Sequence, residues 1–323
     1  MVHDFSSVNL ASIRAAAELI RPYVVRTPTL ELGRASEALG RPVVGKFELL
    51  QHTGAFKARG AFHRMLRLTD HERAAGVVAA SGGNHALAVA YAARHLGIEA
   101  TVIMPSTAAS ASVERARADG AQVVIVDTIS AVFSRALDEV ATGKVMIHPF
   151  DDPDVVAGQG TLALELYEDE PEITDVVASV GGGGMITGVA VALKALNPAI
   201  RVWGVETEGA DAMTQSLQAG HPVLLDSVTS IATTLGAPTV STLTLDGVQA
   251  LVEEIVVVSD AEAVRGIEAI GEFAKVITEP AAACTWPAAV RLKDRFPLDA
   301  RVALILCGGN ASLDDIARWR SVY

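Results

Sequence analysis

Two cysteines, Cys284 and Cys307, are all that the 323 residues contain. So small a number excludes a disulfide framework and a cysteine-rich zinc site, and it points to a reducing compartment. Aromatic residues are also scarce, at 5% of the chain, and no two histidines stand at the i, i+4 spacing of a helical zinc pair. Basic residues are in deficit: 26 Lys and Arg face 38 Asp and Glu, a formal net charge of -12. With no compensating basic block, such a chain repels phosphate backbones and anionic lipid surfaces, so neither nucleic acid nor membrane is an expected partner. No apolar run approaches membrane-spanning length, and Met1 to Leu10 carries no basic segment followed by an apolar core. A cytoplasmic location is the expectation.

What the chain does have is apolar mass. Half of its residues are hydrophobic and only 20% are charged, enough to build a large core in one or two domains. From Gly76 onward, short runs of Val, Ile and Ala alternate with amphipathic stretches. Strands are predicted at Val77 to Ala80, Ala100 to Met104, Gln122 to Val126 and Val145 to His148, with helices at Ala86 to Leu96, Ser112 to Ala118 and Ser130 to Ala141. A second series predicts helix Val155 to Tyr167, strand Asp175 to Val180, helix Met185 to Leu196 and strand Arg201 to Glu206. Ser259 to Glu262 reads as a capping box opening a helix to Val276, and Arg301 to Cys307 as a closing strand. The stretch from Gly220 to Gln249, with scattered Pro, Ser and Thr, predicts a loop-rich connection with one short helix. The fold class is therefore α/β: two lobes, each with a mainly parallel twisted sheet flanked by helices, and a ligand cleft between them. No repeat, low-complexity tract or linker interrupts it.

Four segments carry chemistry. In Gln51-His52-Thr53-Gly54-Ala55-Phe56-Lys57-Ala58-Arg59-Gly60, turn-forming residues give way to an amphipathic helix whose apolar face is Ala58, Ala61, Phe62, Met65 and Leu66. Lys57 then stands at the helix rim, where desolvation and the positive helix end both favour the neutral amine that Schiff-base chemistry needs. Gly181-Gly182-Gly183-Gly184 lies between an apolar strand and a helix, where successive N–H groups can converge on one phosphate. The same segment reads as an ordinary turn, or as a loosened dinucleotide fingerprint through Gly182, Gly184 and Gly188 with Glu206 as the ribose acid. Ile186 and Thr187 break the strict spacing, and a nucleotide leaves Lys57 unexplained. Ser81-Gly82-Gly83-Asn84-His85 follows another strand and offers a second anion cradle, or plain capping by Ser81 or Asn84. Cys307-Gly308-Gly309-Asn310 repeats the arrangement at the last strand end, where Cys307 reads equally as a small buried hydrophobe.

Together, and in this order, these segments resemble the fold type II pyridoxal phosphate enzymes, and within them the threonine/serine dehydratases and serine racemases. Arg26-Thr27-Pro28, His148-Pro149-Phe150-Asp151-Asp152, Gly158-Gln159-Gly160-Thr161 and Glu279-Pro280 are similar to that branch too, so the resemblance spans nearly the whole chain. It implies pyridoxal 5'-phosphate as cofactor, carried by Lys57 through a Schiff base beside Phe56. Gly181, Gly182, Gly183, Gly184 and Met185 would hold its phosphate end, Asn84 its ring hydroxyl and Cys307 its ring nitrogen, with Glu279 close by. Ser81, Gly82, Gly83, Asn84 and His85 would receive the substrate carboxylate. For Glu279 a helix-terminal carboxylate before a proline at the first helical position is an equal reading. The implied domains are 1–75 with 150–323 as a large cofactor-binding unit, and 76–149 as a small mobile unit closing over the substrate.

The departures from the family sharpen the function. Cys307 replaces a more usual serine, and a thiol does not hold the ring nitrogen protonated, which favours prompt elimination. Ala55 removes a hydroxyl before Phe56, and Gly82 stands where the racemases place the serine serving the second substrate face. Glu206 and Ala210 fit two ligands of the racemase-type divalent-metal site, but Ala212 takes the place of its aspartate, so no firm metal site is expected and a monovalent or divalent cation is left open. The expected activity is dehydration and deamination of a β-hydroxy amino acid, L-threonine or L-serine, to a 2-oxo acid and ammonia. A β-replacement synthase or racemase of the same fold is the alternative, and an NAD-binding oxidoreductase a distant third. A small amino-acid substrate and a homodimer complete the expectation.

Overall fold

The computed structural model describes residues 5–323, apart from the side chains of Ile129 and Ser130. Its strands, numbered along the chain, are β1 (Thr29–Glu31), β2 (Val43–Lys46), β3 (Val77–Ala80), β4 (Ala100–Pro105), β5 (Gln122–Val126), β6 (Val145–Met146), β7 (Asp175–Ser179), β8 (Arg201–Thr207), β9 (Glu254–Val258) and β10 (Val302–Ile305). They form a six-stranded sheet in the order β1-β2-β10-β7-β8-β9 and a four-stranded sheet in the order β5-β4-β3-β6. Only the edge pair β1 and β2 is antiparallel; the other pairs run parallel. Helices cover both faces of a parallel sheet, so its central strands are buried throughout, as Val77–Ala80, Asp175–Ser179 and Val302–Ile305 are.

The expected two-sheet α/β architecture is thus what the chain adopts. Boundaries differ where local bonds override periodicity. β6 stops at Met146 rather than His148, because His148 Nδ1 accepts the N–H groups of Phe150 and Asp151, at 3.4 and 2.8 Å, and bends the chain away from the sheet. The helix Asp260–Ala274 ends before Val276, since Lys275 takes a left-handed conformation with φ 59°. The opaque stretch after Gly220 contains a 3-10 turn, Thr233–Leu235, and the helix Thr242–Leu251, opened by a Ser241 capping box. β1, β2 and β9 have no counterpart among the predicted strands; β9, Glu254–Val258, lies at the sheet edge and buries only alternate residues.

The helix Lys57–Leu66 ties the two sheets together. Its apolar face, Ala58, Ala61, Phe62 and Met65, packs into the core of the four-stranded sheet with Val77, Ala86 and Val102. Its opposite side meets the helix Pro153–Asp169 so closely that a Cβ on Gly158 would come within 2.7 Å of the Gly60 Cα, which restricts both positions to glycine. Beneath it lies a buried ionic cluster. Arg59 donates to Glu48 (2.8 Å from both Nε and Nη2) and to Glu165 (2.7 and 2.9 Å). Lys46 donates to Glu165 and to the Thr27 carbonyl, each at 2.7 Å. The charges neutralise one another and fill their remaining hydrogen-bonding positions, which is what permits such groups to be buried.

Candidate active site

The C-terminal ends of β3, β7 and β10 open onto one cleft, and each continues into one of the glycine-rich turns singled out in the sequence. The Lys57 loop is laced to the last of these. Phe56 N–H donates to the Cys307 carbonyl at 3.1 Å and Gly309 N–H to the Gly54 carbonyl at 2.9 Å, with a bridge between Ala55 and Gly308. Lys57 is the first residue of its helix, and Phe56 at the cap offers no side-chain bond. The lysine amine donates to the Pro149 carbonyl at 3.0 Å and lies 5.0 Å from the Phe56 ring centroid. Surrounding protein lowers its pKa to about 8, a desolvation effect that nearby Cys307 partly opposes. At neutral pH its neutral fraction is therefore far above that of a free lysine.

Gly181 to Gly184 lead from β7 into the helix Gly184–Leu196, capped by Gly183 at φ 87° with no side-chain bond. A side chain here has no room. A Cβ on Gly182 would lie 2.0 Å from the Phe150 ring, and one on Gly183 would lie 2.5 Å from Met213 Cε. The loop is therefore a bare row of backbone groups at a helix start, and Met185, nearly buried, is the second residue of that helix. Across the cleft, Ser81 Oγ accepts the Gly83 N–H at 3.2 Å, and Gly83, not Ser81 or Asn84, is the cap of the helix Asn84–Leu96.

Asn84 has another task. Its Nδ2 donates to Glu279 Oε1 at 2.8 Å and its Oδ1 accepts from Asn310 Nδ2 at 2.7 Å, which fixes the orientation of the carboxamide. Glu279 does stand before Pro280 at the start of a short helix, as one reading had it, yet its carboxylate makes no capping bond. It accepts instead from Asn84, from Thr234 Oγ1 at 2.9 Å and from the Asn310 N–H at 3.2 Å. Burial raises its pKa against the pull of these three bonds. Cys307 accepts the Ser179 hydroxyl at 3.3 Å, and burial together with the Glu279 charge pushes its thiol up to about 12. It is a neutral thiol at physiological pH.

His85 is held through Nε2, 2.7 Å from the Ile147 carbonyl, so that nitrogen carries the proton and Nδ1 is an acceptor. Nδ1 is buried without a protein partner, and burial plus the Lys57 charge lower the imidazole pKa to about 3. Glu206 lies near the end of β8 and Ala210 in the turn after it, bridged to Thr207. The Glu206 carboxylate accepts from Met213 N–H (2.9 Å), Thr214 N–H (2.8 Å) and Thr214 Oγ1 (2.6 Å), and burial raises its pKa to about 7. Among the described residues no three His, Cys, Asp or Glu side chains come together in a way that could hold a metal ion.

A model of the family described as pyridoxal-phosphate dependent enzyme matches residues 20–308. The chain belongs to that family. The L-threonine ammonia-lyase of Thermotoga maritima is 39% identical over 313 residues, 96% of this chain and 78% of that protein. The phenylserine dehydratase of Ralstonia pickettii is 38% identical, over 96% of this chain and 95% of that protein. Among solved structures, maize serine racemase superposes with a TM-score of 0.92 at 36% identity, over 98% of this chain and 97% of that one.

The residues of the cleft fit the family's cofactor. Pyridoxal phosphate needs an amine of lowered pKa, a side-chain-free anion cradle and a polar partner for a ring nitrogen, and Lys57, Gly181 to Gly184 and Cys307 have those properties. The orphaned His85 Nδ1 adds a buried acceptor still open to a ligand. Sequence reasoning missed Thr234, which comes from the unpatterned stretch after Gly220 and carries no local signal. It also gave Pro149, Phe150 and Asn310 no role, although each sits in a segment it had quoted. Their work is done by a carbonyl, a ring face and a carboxamide whose partners are distant in the chain.

Proposed function

We propose that this enzyme eliminates water from a β-hydroxy amino acid, releasing a 2-oxo acid and ammonia. The observation that carries the reading is the Lys57 amine, tethered to the Pro149 carbonyl, depressed in pKa by burial and close enough to Cys307 for an electrostatic interaction. When bound, pyridoxal phosphate supplies an electron sink for charge developing at the substrate α-carbon. In the proposed roles, Lys57 Nζ anchors the cofactor and takes the α-proton as a free amine. The amides of Gly181 to Gly184 and the start of the following helix, with Met185 and Phe56 alongside, enclose the phosphate end. Ser81 to His85 receive the substrate carboxylate at the uncapped start of a helix, whose positive end favours an anion. Asn84, oriented by Glu279 and Asn310, presents its remaining N–H to the ring oxygen. Cys307, a neutral thiol, leaves the ring nitrogen without a carboxylate partner, which supports elimination over a long-lived carbanion.

Racemisation is the second reading, supported by the likeness to maize serine racemase. Against it stands Gly82, which lacks a hydroxyl, and where a Cβ would meet Pro105 Cδ at 2.9 Å. Family membership also favours a pyridoxal phosphate over a dinucleotide at Gly181. Residues 1–75 with 150–323 are proposed as the cofactor-binding unit and 76–149 as the part that closes over the substrate. A homodimer and a cytoplasmic location are proposed with them. No helix among the described residues is long and apolar enough to cross a membrane. A cation near Glu206 and Ala210 would compete with three donors already on the Glu206 carboxylate.

The test is incubation of purified holoenzyme with L-threonine, L-serine and phenylserine, following oxo acid and ammonia. Stoichiometric release from at least one is expected, with solvent deuterium incorporation into recovered substrate slow and confined to the L-isomer. No oxo acid from any β-hydroxy amino acid would overturn the reading, and rapid appearance of the D-isomer would replace it with racemisation.

A further inference from the structure

The helix Ser110–Ala118 lies on the four-stranded sheet, and none of the proposed site residues belongs to it. From its last turn Arg115 reaches across the cleft. Nη1 donates to Asn310 Oδ1 at 2.8 Å and Nη2 to the Thr53 carbonyl at 3.3 Å. Asn310 in turn donates from Nδ2 to the same Thr53 carbonyl at 2.8 Å and to Asn84 Oδ1 at 2.7 Å, while its N–H reaches Glu279. Thr53 holds φ 65°, a left-handed conformation rare for a β-branched residue, four positions before Lys57. A strained turn of this kind persists only where its surroundings hold it, and its carbonyl is the point on which both donors converge.

We infer that Arg115 is a positioning residue, latching the four-stranded sheet to the Lys57 loop and, through Asn310, fixing the Asn84 carboxamide. One guanidinium thus joins three elements distant in sequence: a helix on one sheet, the turn after β10 on the other and the loop before the reactive lysine. Because Asn310 is held by Arg115 on its oxygen and gives both amide hydrogens to Thr53 and Asn84, it has one orientation. Loss of Arg115 leaves the Asn310 oxygen without its donor and the carboxamide held from its amide side alone, so the partner of Asn84 is fixed less firmly. The latch acts on the population of the closed, carboxylate-binding arrangement rather than on the lysine chemistry.

The inference rests on the site assignment above, and the experiment separates the two. In the holoenzyme, Arg115→Met should raise KM for the preferred amino acid by about tenfold, the scale of one charge-assisted bond lost from a closing equilibrium, and lower kcat by less. Arg115→Lys, which can reach Asn310 but not span to Thr53 as well, should fall between. In an Asn310→Ala background, Arg115→Met should add less than twofold, since the nearer of its two acceptors is gone and only the longer bond to the Thr53 carbonyl remains. Hydrogen exchange gives a readout free of turnover: amides of Ser110–Ala118 and of the Thr53 loop should exchange faster in Arg115→Met, with those of Gly184–Leu196 unchanged. KM within twofold of wild type, fully additive effects, or exchange accelerated evenly through the molecule would each overturn the latch. The exchange result stands even if no tested amino acid is turned over, so failure of the substrate reading is seen separately.

Discussion

At the scale of single residues, the proposed chemistry depends on how far burial has shifted the Lys57 amine. Lys57, at about 8, sits well below a free lysine, and the shift has consequences in both binding and stability. The rate at which the apoprotein captures pyridoxal phosphate should rise with pH and level off above about 8, as the amine deprotonates; a flat profile from pH 6 to 9, followed by absorbance, would contradict the assignment. Lys57→Ala should abolish the lysine-bound absorbance and cut turnover by at least about a thousandfold, as expected when a covalent anchor and its proton-transfer role are lost together. The sign for stability is the reverse of a salt bridge. Between pH 8 and 10.5 the unfolded chain binds the extra proton, so the native state gains as pH rises and loses as it falls through 8. A Lys57→Met apoprotein should therefore unfold at higher temperature than wild type at pH 7, by calorimetry, with the gap closing toward pH 10.5.

At the scale of elements, helix starts divide into two kinds. Several helices whose starts lie away from the cleft are closed by side chains: Asn9, Thr69, Ser259 and Ser312 each complete a capping box. The helices entered from Phe56, Gly83 and Gly183, at the proposed site, have no side-chain cap, which leaves their first N–H groups open to an anion. Substitution at the two kinds should separate accordingly. Ser259→Ala should lower stability by about 1 kcal/mol in a denaturant titration and leave cofactor affinity unaltered. Gly182→Ala, whose Cβ would strike the Phe150 ring, should weaken cofactor binding by at least about tenfold, measured by equilibrium dialysis, because the loop must move away from the phosphate.

At the scale of the whole molecule, a buried charge cluster ties the lysine helix to β2 of the six-stranded sheet and to the helix Pro153–Asp169. Arg59→Met would leave Glu48 and Glu165 facing only Lys46, and a cost of about 3–5 kcal/mol is expected, read as a fall in the denaturation midpoint. Glu206 contributes a pH dependence of opposite direction to Lys57. Its pKa is raised from 4.5 to about 7 by burial, so the stability it gives is present below pH 4.5 and is lost as pH rises through 7. Glu206→Gln should flatten the stability profile between pH 5 and 7, and an unchanged slope would show that its carboxylate is not desolvated.

By itself the sequence determined the α/β class, the helix beginning at Lys57, and the three glycine-rich turns at strand ends, because periodicity, turn residues and helix starts are written in neighbouring residues. It also supplied the family, through four motifs in order. What it left open were features made by contact between distant segments. Whether Asn84 caps its helix or bridges to another strand end was decided by Glu279 and Asn310, each more than 190 positions away. Whether Glu279 serves a helix or the cleft was decided by Thr234, drawn from the stretch with no readable pattern. Lys57 could be placed at a helix rim from its neighbours, but the depression of its pKa required the burial that only two sheets closing on one cleft provide.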